Sequence, residues 1–290
     1  MNDFGKLFDE MGKMGITVSD EMKSRITGKI DNALNYEPRI GFFGKTGAGK
    51  SSLCNALFGK DVCLVDDVAA CTRNPQEIFL NVNSKGIKLV DVPGVGERAD
   101  RDKEYADLYR SLLPELDVVL WVLKADDRAF TSDELFYRNV VKPHLDQGKP
   151  LFFIINQCDK IEPFREWNLT GREPGKTQIL NILKKQQYVA EFFGYPESKV
   201  IPVSAGEKYN LTRLVDEVVH ALPREKKITF AAVVEKENLS PRAKEESRNG
   251  FVDFLIDVTI DPLPIPAPLK NMAKAALRSI ANWGVWPWNW

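Results

Sequence analysis

A chain of 290 residues, 43% hydrophobic and 28% charged, has the size and composition of a globular protein with one α/β domain and a smaller satellite. Its 40 basic side chains against 41 acidic ones leave a net charge of −1, which excludes a whole-molecule electrostatic pull toward nucleic acid. The 4 cysteines include no C-x-x-C pair and no histidine partner at metal-ligand spacing, so reduced thiols are expected rather than disulfides or a zinc site.

Phe4, Leu7, Phe8 and Met11 recur at i, i+3, i+4 and i+7, which predicts an amphipathic helix in residues 3–14. Ser19 is placed to cap a second helix with Ile26, Ile30, Ala33 and Leu34 on one face, closed by Pro38. From residue 39, short apolar runs alternate with helical periods, the pattern of a mostly parallel sheet covered by helices. Strands are predicted at 39–43, 76–82, 87–92, 117–123, 151–156 and 199–203. Helices are predicted at 50–58, 102–113, 131–146, 177–192 and 210–221. Asn83-Ser84-Lys85-Gly86 is turn chemistry, so 76–92 should form a hairpin and add one antiparallel edge strand to a six-stranded sheet. The polar loop between Lys160 and Gly175 is long for such a domain and reads as a contact surface. After Pro223 come a charged helical stretch (224–248), an apolar run from Phe251 to Ile260, a proline joint at Pro262, Pro264, Pro266 and Pro268, and a last helix. Trp283, Trp286, Trp288 and Trp290 follow it. The expected division is an N-terminal helical extension (1–37), a nucleotide-binding domain (38–222) and a C-terminal helical extension with a Trp-rich tail (223–290). The two extensions are too short to bury separate cores, so a joint helical satellite is expected.

Gly44-Lys45-Thr46-Gly47-Ala48-Gly49-Lys50-Ser51 fits GxxxxGK[ST] between a predicted strand and a predicted helix, with Ser52 following. Glycines let the backbone curl until successive N–H groups face a polyphosphate. Lys50 then reaches the β- and γ-phosphates, and the Ser51 hydroxyl ligates Mg²⁺. Asp91-Val92-Pro93-Gly94 ends the third strand, where a carboxylate holds Mg²⁺ through water and the Gly94 N–H meets a γ-phosphate. Thr72 lies in the aperiodic loop between these motifs, placed to close the Mg²⁺ shell. Asn156-Gln157-Cys158-Asp159 ends an apolar strand, and the Asp159 carboxylate suits guanine N1–H and its exocyclic amine. Ser204-Ala205-Gly206 ends the last strand, where the Ala205 N–H suits guanine O6. GTP or GDP with Mg²⁺ is the expected ligand, with Lys50, Thr72 and Gly94 as the catalytic set.

The strings GKTGAGKSSLCNALFG, CTRNPQ and DVPGVGE resemble Era-like P-loop GTPases, in particular bacterial, often prophage-encoded ones, with some likeness to immunity-related GTPases. The likeness covers about residues 38–222 and implies a GTP-hydrolysing switch. Three departures stand out. Gln157 replaces the lysine of N-K-x-D, which implies weaker guanine affinity. Val95 stands where Ras-like proteins carry the water-orienting glutamine, which implies slow intrinsic hydrolysis. Gly47 replaces the asparagine of potassium-activated members, so no stimulation by potassium is expected. Arg73, Glu97, Arg98 or a second copy pairing across the nucleotide are candidates for the missing catalytic element.

Residues 262–290 carry Lys270, Lys274 and Arg278 and no acidic side chain. Leu269, Ala273, Ala276, Leu277 and Ile280 fall at helical spacing. Two readings stay open for this tail: a peripheral membrane helix in the manner of dynamin or immunity-related relatives, or a helix folded back on the protein. A ribosome-associated role is a further alternative. RNA binding through the C-terminal region is not expected, because no GXXG loop follows residue 222 and its charges nearly balance. A nucleotide-dependent scaffold with negligible turnover is another. No signal-like segment is seen and no apolar run reaches the roughly 18 residues of a span, so a cytoplasmic location is expected, with contact to the inner membrane face on the first tail reading.

Overall fold

The computed structural model describes residues 5–13, 15–59, 76–82, 85–91, 102–127, 130–145 and 149–280. Strands β1 (Arg39–Phe43), β2 (Gln76–Val82), β3 (Lys85–Asp91), β4 (Val118–Lys124), β5 (Leu151–Asn156) and β6 (Val200–Pro202) form one sheet in the order β2-β3-β1-β4-β5-β6. Only β2 runs antiparallel, paired with β3 at the edge, as the hairpin pattern predicts. Val82 faces Lys85, so Lys85 and Gly86 belong to β3 and the connection is shorter than the predicted four-residue turn.

The central strands show why the sheet reads as continuous apolar runs. In β4, Val118, Leu120 and Val122 enter one core while Val119, Trp121 and Leu123 enter the other. In β5, Phe152 and Ile154 face the first core, and Leu151, Phe153 and Ile155 the second. Alternation persists, but both faces are covered, so every position is apolar. The first core is closed by α3 (Lys50–Phe58), α8 (Leu211–Ala221) and α9 (Arg224–Val233). The second is closed by α4 (Asp102–Leu112), by α7 (Lys176–Phe193) and by a composite helix. The predicted helix 131–146 is that composite: α5 (Thr131–Phe136), a π-helical turn (Tyr137–Val141) and α6 (Lys142–Leu145).

The helical satellite is a third core, made by α1 (Gly5–Lys13), α2 (Asp20–Leu34), α10 (Pro241–Thr259) and α11 (Ala267–Ile280). Ser19 caps α2 by accepting from the Met22 N–H at 3.3 Å, and Ile26, Ile30, Ala33 and Leu34 are all buried. The charged stretch 224–248 is not one helix. A 3-10 turn at Lys236–Asn238 separates α9 from α10, and α10 continues through the apolar run to Thr259. The turn has a purpose: Glu235 N donates to Leu57 O at 2.8 Å and Asn238 Nδ2 to Ala56 O at 2.7 Å, capping the C-terminal carbonyls of α3. α9 itself belongs to two cores, with Ile228 in the satellite and Phe230, Ala231 and Val233 against the sheet.

In α11, Ala273 and Leu277 are buried in the satellite core. Lys274 pairs with Asp261 at 2.6 Å and Arg278 with Asp253 at 3.0 Å. This stretch of the tail is folded back on the protein; the four terminal tryptophans lie outside the described residues.

Candidate functional site

β1 is the middle of the sheet, and the chain leaves its carboxyl end through residues 44–49 into α3, at the rim where open α/β sheets bind ligands. At Gly44, φ is 128° and an added Cβ would stand 2.1 Å from Val122 O; at Gly49, φ is 87° and it would stand 2.4 Å from Asn156 Nδ2. The loop passes too close to β4 and β5 for a side chain at either position. Ala48 N donates to Lys45 O at 3.2 Å, making the bend. Lys50 Nζ donates to Gly44 O at 3.0 Å and Lys45 O at 3.2 Å, so its ammonium is already seated in the curl. Gly49 gives α3 no side-chain cap, and the first-turn amides offer an anion site. Ser51 is half-buried at that helix start, while Ser52, Thr46 and Gly47 are exposed.

The carboxyl end of β5 is tied to this loop. Asn156, 1% exposed, donates from Nδ2 to Ala48 O at 3.0 Å and Gly49 O at 3.3 Å, and its Oδ1 accepts from Ala205 N at 3.1 Å. The Ala205 N–H expected for guanine O6 is thus held by Asn156 in this structure. Gln157 has φ 63°, donates from Nε2 to Gly47 O at 3.2 Å, and accepts from Lys160 Nζ at 2.7 Å. Its carboxamide therefore lies along the P-loop. Ser204 is buried, and its Oγ accepts from Glu207 N at 3.2 Å, shaping the loop that carries Ala205. Asp159 borders a cavity of about 300 Å³ together with Lys160, Phe164, Trp167, Leu169 and Glu207. Trp167 packs edge-on against Tyr209 at 5.4 Å, and its buried Nε1 has no hydrogen-bond partner among the described residues. Cys158, beside Asp159, is fully buried, and burial pushes its thiol well above the usual range, so it is inert as a nucleophile.

Asp91 ends β3 in register with Phe42 of β1, two positions before Gly44. Thr72, Gly94 and the candidates Arg73, Glu97 and Arg98 lie outside the described residues. Lys45 is anchored at both its main chain and its side chain. Its main chain belongs to the loop, but its ammonium stands 2.9 Å from Asp133 Oδ2 and 3.6 Å from Asp127 Oδ2.

Two further residues escaped the motif reading. Gln178, fully buried, donates to Asp159 O at 3.0 Å and Ile161 O at 2.8 Å, holding the turn that presents Asp159. Its signal was a glutamine at a core position of α7, one turn before Ile182. Glu166 caps the same helix, accepting from Thr177 N at 2.9 Å and Gln178 N at 3.2 Å. Those contacts, the hydrogen bonds from Thr177 foremost, hold its carboxyl below the usual carboxylate range.

A curled loop with a lysine in its bowl, a carboxylate strand-end beside it and a base-side turn bonded to it define the P-loop GTPase class. A family model described as a 50S ribosome-binding GTPase matches residues 39–157. The chain is 40% identical to the uncharacterized protein YfjP of Escherichia coli K12 over 265 residues, 90% of each chain. It is 40% identical to YkfA of the same organism over the same length and shares. To the GTPase Era of Aquifex aeolicus it is 28% identical, over 63% of this chain and 56% of Era. The chain belongs to the Era-like P-loop GTPases, in the group that includes YfjP and YkfA. It is a GTP hydrolase.

Proposed function

We propose that this GTPase is a slow molecular switch, activated by a second copy pairing across the nucleotide or by a partner. The observation that carries the reading is the Asn156 side chain, which bonds the phosphate loop at 3.0 Å and the base-side turn at 3.1 Å and so holds the two next to each other. Lys50, already held at the loop carbonyls, presents its charge to the β- and γ-phosphates. The uncapped start of α3 adds amide donors to the same oxygens. Asp159, steadied by Gln178, reads the guanine edge at the mouth of the 300 Å³ cavity.

The residues present fit Mg²⁺. Ser51 lies in the first turn of α3 and Asp91 ends β3, the strand paired with β1, and a hydroxyl and a carboxylate suit a small cation that keeps waters and phosphate oxygens as its other ligands. Bound there, Mg²⁺ would neutralise charge developing on the transferred phosphoryl group. Thr72 and Gly94 are assigned to the γ-phosphate side from sequence, ordering with GTP and relaxing after hydrolysis. With Val95 after Gly94, no glutamine stands there to orient water, which supports slow turnover without help. Residues 38–222 are taken as the domain that carries this cycle, with 1–37 and 223–290 as its extensions.

The test is a titration with GTP and ATP, using Asp159→Ala as control, followed by turnover at rising protein concentration. GTP preference lost in the variant supports the base assignment. Turnover per molecule that stays flat with concentration removes the pairing idea.

A further inference from the structure

The P-loop pattern leaves the residue after its first glycine open, yet here that residue sends its side chain into the protein. The Lys45 ammonium lies 2.9 Å from Asp133 Oδ2, and Asp133 is 1% exposed in the first turn of α5. The contact is one of charge and distance rather than of alignment, since Oδ2 accepts no aligned hydrogen bond among the described residues. The other oxygen, Oδ1, accepts from Trp121 Nε1 at 3.3 Å. Trp121 is itself immobilised, with Phe43, Phe136, Tyr137 and Phe153 all within 6.2 Å of its ring centre. Asp127 Oδ2, on the turn after β4, stands farther off at 3.6 Å and is partly exposed.

A buried carboxylate works against folding, and burial raises the Asp133 carboxyl above its ordinary range while Lys45 and Trp121 draw it part of the way back. What the arrangement gives in return is visible in the main chain. The carbonyl of Lys45 accepts from both Ala48 N and Lys50 Nζ, each at 3.2 Å. Holding the Lys45 side chain against a rigid aromatic core therefore fixes the carbonyl that aims the Lys50 ammonium.

We propose that Lys45 and Asp133 are positioning residues, an ion pair that sets the first bend of the P-loop and so presents Lys50 to the nucleotide phosphates. This rests on the nucleotide site described above. Lys45 then acts through its backbone and not by touching phosphate.

The experiment measures dissociation constants for fluorescent GTP and GDP analogues, and melting temperatures, for the full chain and the variants Lys45→Met, Lys45→Arg, Asp133→Asn, Asp127→Asn and the double variant Lys45→Met/Asp133→Asn. Lys45→Met and Asp133→Asn are expected to weaken both nucleotides about tenfold, since the Lys50 contact to the β-phosphate is common to GTP and GDP. The double variant should be no weaker than either single one, because the two side chains act as one device. Lys45→Arg should restore affinity to within about threefold, as the cation is kept, and Asp127→Asn should stay within about twofold. Asp133→Asn should melt close to the wild type, because burial already disfavours this carboxylate and the amide oxygen keeps an acceptor for Trp121 Nε1. Affinities within twofold of wild type for Lys45→Met and Asp133→Asn, additive losses in the double variant, or a failed rescue by arginine would each overturn the proposal. A wild-type chain that binds neither nucleotide overturns it together with the site assignment beneath it.

Discussion

Asn156 Nδ2 lies 3.0 Å from the carbonyl oxygen of Ala48, joining residues 108 apart in sequence. Removing that side chain takes the Asn156 donor from the Ala48 carbonyl and the Asn156 acceptor from the Ala205 N–H, while the Gly49 carbonyl keeps only its bond from Leu53 N at 2.9 Å. At about 1–3 kcal/mol for a buried polar group left unpaired, Asn156→Ala should weaken GTP and GDP binding at least tenfold and lower the melting temperature. Gly49→Ala should be as damaging, because its methyl would stand 2.4 Å from the same amide nitrogen. Titration and thermal melting of both variants check this.

Trp167 forms part of the wall that Asp159 shares, where Gln157 has turned its carboxamide to the P-loop. An aromatic face next to a planar base contributes roughly 0.5–1.5 kcal/mol beyond its area, so Trp167→Ala should raise the GTP dissociation constant roughly three- to tenfold. ATP binding should not change. Equal losses for both nucleotides would place the base elsewhere.

Asp117, 8% exposed, gathers Tyr36 OH at 2.7 and 2.8 Å, Arg39 N at 2.9 Å and Lys226 Nζ at 2.6 Å. It joins the segment leading into β1, the start of β4 and α9. Asp117→Ala leaves a half-buried lysine without its counter-charge and should destabilise the fold by roughly 3 kcal/mol in urea unfolding. Burial works against the Lys226 cation, but the Asp117 and Tyr36 hydrogen bonds outweigh it and hold its pKa above the ordinary lysine value. Stability from this contact is full below about pH 10.4 and is lost as pH rises through the higher folded value, so the alkaline limb should flatten in the variant.

Glu246 has the opposite sign. Burial would raise its carboxyl, yet the Lys227 hydrogen bond at 2.5 Å, the Lys227 charge and His220 bring it below the ordinary value. That contribution is present above the unfolded pKa of about 4.3 and is lost as pH falls through the lower folded one. Glu246→Gln should therefore be less stable than wild type near neutrality, with the gap closing toward pH 3. Denaturation midpoints across that range are the measurement.

The sheet was legible because β1, β4 and β5 are buried on both faces, which leaves unbroken apolar runs that no surface strand would carry. The P-loop was legible because Gly44 and Gly49 tolerate no side chain. Other features were set by partners remote in sequence. The side-chain direction of Lys45 is decided by Asp133, 88 positions on, and nothing in the GKTGAGKS string specifies it. Gln178 and Asp133 read as ordinary helix polar residues until their burial is known. The break between α9 and α10 follows from the carbonyls of Ala56 and Leu57, which the local charge pattern does not register.

Those two carbonyls have a practical consequence for anyone shortening the protein. A fragment ending at Leu222, where the sequence motifs run out, would strip Phe230 from its place 6.1 Å from Phe58 and leave the far end of the P-loop helix bare. Such a fragment should aggregate or lose nucleotide. The smallest workable version extends at least through Ala243, the last side chain rooted in the first core.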